Sequence, residues 1–157
     1  MNLAVFDCVV YVQAAINHQG PAASCLALVE KREVKVFASS AVFAEVRETL
    51  SQKKLRARFP HLTDERVDQF LQRIGELAEV VDIVPSVFSL PRDPDDAIYV
   101  DLALASRVPY LVSRDKDLLD LMHDVDFRRD YPGFTILDPV QFLSVVSPKT
   151  DEGASSS

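Results

Sequence analysis

The sequence predicts an α/β domain built on a central parallel sheet of four or five strands, and three observations predict it. Short apolar, β-branched runs alternate with segments of helical periodicity. Capping residues and acidic turns separate the two kinds of segment. The length, 157 residues, suits one domain able to bury its own core. Strands that alternate with helices imply βαβ units and a sheet covered on both faces.

Each element follows from its residues. Residues 3–6 form an apolar run that stops at Asp7, which reads as a buried strand. Helical sequence follows, with residues 22–31 rich in helix formers. Residues 34–38 alternate and are β-branched, which predicts strand two. Ser39 and Ser40 can cap a helix over 41–54. Thr63, Asp64 and Glu65 start the clearest helix, in which Val67, Phe70, Leu71, Ile74, Leu77 and Ala78 recur at threes and fours. Residues 80–84 are the third strand candidate, and an acidic turn at 93–96 leads into a helix over 97–106. Residues 110–113 are the fourth strand, 116–122 a short helix and 134–137 the fifth strand. Pro139 begins a last helix that ends near Val146. The domain therefore spans 1–147, and the small, polar residues 148–157 read as a disordered tail.

Composition narrows the chemistry. Four isolated glycines cannot write a dinucleotide-binding GxGxxG or a phosphate-cradling GxxxxGK[ST]. Two cysteines are too few for a disulfide framework or a structural zinc site. No apolar run approaches the roughly 20 residues that span a bilayer, and no basic n-region precedes the first strand. A cytoplasmic protein without membrane contact is the expectation. The net charge of −7 argues against a basic nucleic-acid-binding arm. An acidic protein still reaches phosphates when cations stand between them and its carboxylates.

Four carboxylates carry the functional reading. Asp7 ends strand one, Asp96 opens the helix after strand three, and Asp115 follows strand four. Glu45 lies one turn into the helix after strand two, about 60° outside the arc of Val42, Phe43, Val46 and Leu50, at the border of the buried stripe. Open parallel sheets bind ligands beyond the carboxyl ends of their strands. Acids converging there repel one another, and hard divalent cations relieve that cost. Two such ions about 3.5–4 Å apart would clamp both oxygens of an in-line phosphoryl displacement. Taken singly, each acid also reads as a cap, a turn or a solvated helix residue.

At these residues the sequence resembles a PIN-domain nuclease, most of all the VapC-like toxins of toxin–antitoxin pairs. The matching pieces are VFDCVVYVQA, SSAVFAEVRETL, RDPDDAIYVDLALASRVPYLVSRDKDLLDL and GFTILDPVQFL, over about residues 3–146. The resemblance implies a three-layer α/β/α fold and a ribonuclease dependent on Mg²⁺ or Mn²⁺. It implies an antitoxin partner and a homodimer, for which the apolar stripe of 67–78 is a candidate face, though the stripe reads equally as core. It places the catalytic, metal-binding acids at Asp7, Glu45, Asp96 and Asp115, with Asp93 and Asp117 as helpers, and matches Ser113 to the family's Ser/Thr before the fourth acid. Where the family begins Asp-Thr-Asn, this chain reads Asp7-Cys8-Val9, and neither replacement offers a comparable hydrogen bond. Ser113, Arg114, Lys53 and Lys54 are candidate substrate contacts. Lys53 and Lys54 belong to a basic cluster with Arg56 and Arg58 that reads equally as a solvated helix end.

Two functions remain open on the sequence: a metal-dependent endoribonuclease, and a catalytically weak or inactive PIN module that binds RNA or a protein. A haloacid-dehalogenase-like phosphatase would need Asp at position 9, which is Val9. A receiver-like domain would need an acceptor Asp at the end of strand three, where Val84, Pro85 and Ser86 stand.

Overall fold

The computed structural model describes residues 1–82 and 97–146. Five parallel strands make one sheet in the order β3-β2-β1-β4-β5. They are β1 (Asn2–Phe6), β2 (Val34–Ala38), β3 (Glu79–Val80), β4 (Tyr110–Val112) and β5 (Thr135–Leu137). The central strand β1 pairs with β2 from Asn2↔Val34 to Val5↔Phe37, and with β4 from Ala4↔Tyr110 to Phe6↔Val112. The chain winds outward from β1 through β2 to β3, then crosses to the other side for β4. The strand order thus reverses between β1 and β4, the place where such sheets hold their ligands.

Between β1 and β2 run α1 (Cys8–Ile16) and α2 (Pro21–Glu30), and between β2 and β3 run α3 (Ser40–Leu50), α4 (Lys53–Arg58) and α5 (Asp64–Leu77). The helix α6 (Ala97–Ser106) enters from the opposite winding direction and packs on β1, β2 and β4. Right-handed crossovers in opposite directions put helices on opposite faces. Beyond β4 come α7 (Lys116–Leu119), a 3₁₀ turn over Asp120–His123, and α8 (Val125–Asp130). The last helix, α9 (Pro139–Val146), returns to pack on α2. Buried Phe6, Tyr11 and Phe142 meet edge-on or tilted at the centre of the core, with ring centroids 5.8–5.9 Å apart.

The strand and helix predictions hold in type, with four departures. The helix expected over 41–54 stops at Leu50. A continuous helix would give the Leu50 carbonyl to the backbone of Lys54, but Arg56 Nε takes it at 2.8 Å, and extended Gln52 restarts the chain as α4. The strand expected over 80–84 appears as Glu79–Val80, because β2 offers it only Phe37 and Ala38 before Ser39 caps α3. Val81 N–H still reaches the Ala38 carbonyl at 2.8 Å. Residues 83 and 84 lie outside the described residues. The helix expected over 116–122 divides into α7 and the 3₁₀ turn, and α8 has no counterpart among the elements the sequence predicts. Of the apolar stripe at 67–78, Val67, Leu71 and Ile74 are buried in the protein's own core. Of the remainder, Phe70 and Leu77 line a shallow groove of about 290 Å³ with Ala14, Ala23 and Leu26.

With few glycines, two helix ends use arginine in the left-handed region. Arg32 follows α2 at φ 63° and Arg107 follows α6 at φ 56°. At both, the next amide bonds a carbonyl five residues back, Glu33 to Leu28 and Val108 to Ala103, which closes the helix.

Candidate active site

The strand ends of β1 and β4 bring Asp7 and Asp115 side by side. Each begins a helix as its N-cap. Asp7 Oδ1 accepts from Val10 N–H at 3.1 Å to start α1, and Asp115 Oδ1 accepts from Asp117 N–H at 2.8 Å to start α7. An N-cap carboxylate satisfies amides that have no partner within the helix. Ser113 joins the two acids. Its hydroxyl donates to Asp7 Oδ2 and accepts from Asp115 N–H at 2.9 Å.

Asp7 is only 3% exposed. Burial pushes its carboxyl up to about 6, and the charge of Asp115 adds to the push, while the Ser113 hydroxyl and the Val10 amide pull the other way. The site therefore holds its central acid at a cost near neutral pH.

Glu45 approaches from α3, half-buried at the border of that helix's apolar face. Ser39 caps α3 through Val42 N–H at 3.3 Å, and Asp82 Oδ1 takes Ser40 N–H at 2.8 Å, so the first turn is fixed at both sides. The hydroxyl of Tyr99 donates to Glu45 Oε1 and accepts from Cys8 N–H at 3.3 Å. Burial and the Glu45 contact push the Tyr99 phenol well above its usual range, so it stays a donor. Tyr99 belongs to no motif that marks it in the sequence. Its signal there is its place three residues after Asp96, the spacing at which two positions of a helix would share a face.

The Cys8 thiol is buried and pushed up to about 12, chiefly by desolvation, and lies 3.8 Å from Thr49 Oγ1. Without a cation beside it, it remains a thiol at neutral pH rather than a nucleophilic thiolate. Val9 is 42% exposed and apolar.

The other expected site residues divide. Ser113 is fully buried and its hydroxyl is committed to Asp7 and Asp115, so it orients acids where a substrate contact was expected. Asp117 is half-buried beside Asp115. Arg114 is exposed and lines a cleft of about 250 Å³ with Gln13, Ile16 and Asn17, along α1 away from its acidic start. Lys53 and Lys54 are exposed on α4 and make no ion pair among the described residues. Of their neighbours, Arg56 pairs with Asp64, and Arg58 lies over the Phe59 ring at 5.4 Å. Asp93 and Asp96 lie outside the described residues. Among the described residues no group of three or more His, Cys, Asp or Glu side chains is arranged to hold an ion.

A parallel α/β domain with carboxylates at its switch point is the class this fold and site define. The profile of the family described as PIN domain matches residues 4–117, which is most of the chain. The chain belongs to the PIN domain family, whose members are generally nucleases. Among solved structures, a chain in the crystal structure of VapBC2 from Rickettsia felis bound to a DNA fragment from their promoter superposes with a TM-score of 0.54. The two are 17% identical, and the match covers 87% of this chain and 98% of that one. At that identity the likeness concerns the fold alone. No curated protein matches the chain. No described helix is long and apolar enough to cross a membrane.

Proposed function

We propose that the protein is a metal-dependent endoribonuclease, the toxin of a toxin–antitoxin pair, with Asp7, Glu45, Asp96 and Asp115 as its working acids. The observation that supports this most is the Asp7–Ser113–Asp115 arrangement. A buried carboxylate, disfavoured by desolvation and by a neighbouring acid, is nonetheless held in one direction by two hydrogen bonds. Such costly, well-oriented carboxylates are characteristic of reactive sites.

The donor chemistry fits a hard cation. The side chains gathered here offer carboxylate oxygen, and the one nearby sulfur is protonated. Mg²⁺ is held by one or two carboxylates together with water and substrate phosphate, and Mn²⁺ accepts the same ligands. Asp7 and Asp115 supply that pair, with Asp96, Asp93 and Asp117 as further candidates. When bound, the cation supplies a water acidified toward neutral pH and neutralises charge on the phosphate. The chain's own part is to orient. The Val10 amide and the Ser113 hydroxyl fix Asp7, the Asp117 amide fixes Asp115, and Tyr99 holds Glu45.

RNA as the substrate, the antitoxin partner, a homodimer and a cytoplasmic location belong to the same reading, on the VapC-like sequence pieces. Exposed Val9, standing where the family carries Asn, favours a second reading: a PIN module that binds RNA or protein without cutting.

The test is purified wild type against Asp7→Asn on single-stranded RNA. Cleavage should require Mg²⁺ or Mn²⁺, stop with chelator, and fall by roughly a thousandfold or more in Asp7→Asn. Equal rates in the two proteins would hand first place to the binding module.

A further inference from the structure

We propose that Tyr99 is a positioning residue for Glu45, and that its hydroxyl ties Glu45 to the same helix end that holds Asp7. The inference rests on the reading of Glu45 as a site acid. The first amides of α1 have no partner within the helix, and the structure shows how two of them are used. Val10 N–H goes to Asp7 Oδ1 at 3.1 Å. Cys8 N–H goes to the Tyr99 hydroxyl at 3.3 Å, and that hydroxyl donates its own proton to Glu45 Oε1. A phenol both donates and accepts, so it can stand in such a relay. An amide donating to the phenol oxygen polarises the O–H and strengthens the bond beyond it. The positive end of α1 therefore acts on both acids, directly on Asp7 and through Tyr99 on Glu45.

The link spans three elements far apart in sequence. Cys8 begins α1, Glu45 sits in the second turn of α3, and Tyr99 lies in the first turn of α6. Tyr99 is 3% exposed, so its ring is immobilised by the core while its hydroxyl reaches the site. A long, half-buried glutamate side chain has several rotamers open to it, and this contact selects one. Val9, the next residue along α1, brings no polar group to do so.

Four proteins test the assignment: wild type, Tyr99→Phe, Glu45→Gln and the Tyr99→Phe/Glu45→Gln double variant. Each is measured for RNA cleavage, for Mn²⁺ affinity by thermal shift, and for fold by circular dichroism. Tyr99→Phe removes one oxygen and keeps the ring. It should lower kcat roughly ten- to a hundredfold with little change in KM, since an acid displaced by about an ångström loses that much. It should also weaken Mn²⁺ binding several-fold. The double variant should be no worse than Glu45→Gln, because Tyr99 acts through Glu45. Glu45→Asp is a second probe with Tyr99 intact. It keeps the charge, retreats by one methylene from the hydroxyl, and should show a comparable loss.

Losses that multiply in the double variant would overturn the proposal, as would Tyr99→Phe or Glu45→Asp within about twofold of an active wild type. A wild type that neither cuts RNA nor binds Mn²⁺ would instead sink the nuclease reading, and this inference with it.

Discussion

The acids at the end of β1 and β4 and the bases on α4 are both charged clusters, held under opposite physical conditions. Asp7 is buried, bonded at both oxygens, and shifted to about 6. Lys53 and Lys54 stand in water without ion pairs among the described residues. In the first region the described neighbours are tightly specified, and Ser113 alone serves two acids. In the second, half of the charge has a structural role: Arg56 closes α3 through the Leu50 carbonyl, and Arg58 covers Phe59. Charge fixed at a cost marks where chemistry is concentrated. Charge left in water is screened within about 10 Å at ordinary ionic strength and contributes attraction with little geometry.

The strongest effect that sharpens this contrast is on stability at Asp7. Its carboxyl titrates at 3.8 when unfolded and at about 6 when folded. The folded state therefore binds this proton more tightly. Stability from this group is fullest below pH 3.8 and is lost as pH rises to about 6, by on the order of 3 kcal/mol. Asp7→Asn should abolish that slope and melt several degrees higher than metal-free wild type at pH 7. Melting curves of both proteins from pH 4 to 7 decide it; parallel curves would mean that Asp7 is not strained by burial. Mg²⁺ or Mn²⁺ should raise the wild-type melting temperature more at pH 7 than at pH 5, because the cation needs the ionised acid.

Ser113→Ala comes next. It leaves Asp7 Oδ2 and the Asp115 amide without their shared partner in a buried place, which should cost about 1–3 kcal/mol in urea unfolding. The Ser113 bond holds Asp7 down, so the variant's Asp7 should titrate still higher than in wild type. An unchanged titration would show that the hydroxyl does not govern the acid.

The weakest effect belongs to α4. Replacing Lys53 and Lys54 with alanine should change stability by no more than about 0.5 kcal/mol. If these lysines follow an RNA backbone, affinity should fall across all sequences, and its dependence on log salt should flatten by about 0.7 for each phosphate no longer neutralised. Filter binding at several salt concentrations reads this directly. An identical salt slope in the two proteins would leave α4 as a solvated helix end.

The order and type of most elements were legible in the amino-acid sequence, because apolar period and capping are local properties. Asp7 after an apolar run and Asp115 after residues 110–113 were readable as strand-end acids, and parallel pairing of β1 with β4 makes them neighbours. Glu45 could be placed from its helical angle, and the structure leaves it half-buried where that angle put it. Competition for backbone partners was settled by packing alone. Arg56, by taking a carbonyl, ended α3 early, and the shortness of β2 trimmed β3 to two residues. The same holds for Ser113 and Tyr99. A serine before an acid reads as a surface contact until the fold closes over it. A tyrosine on a helix that is apolar on nearly every side reads as core until its hydroxyl meets Glu45 and the Cys8 amide. Hydrogen-bond partners 54 and 91 residues apart leave no periodicity in a sequence, so the tertiary packing that brings α1, α3 and α6 together had to supply them.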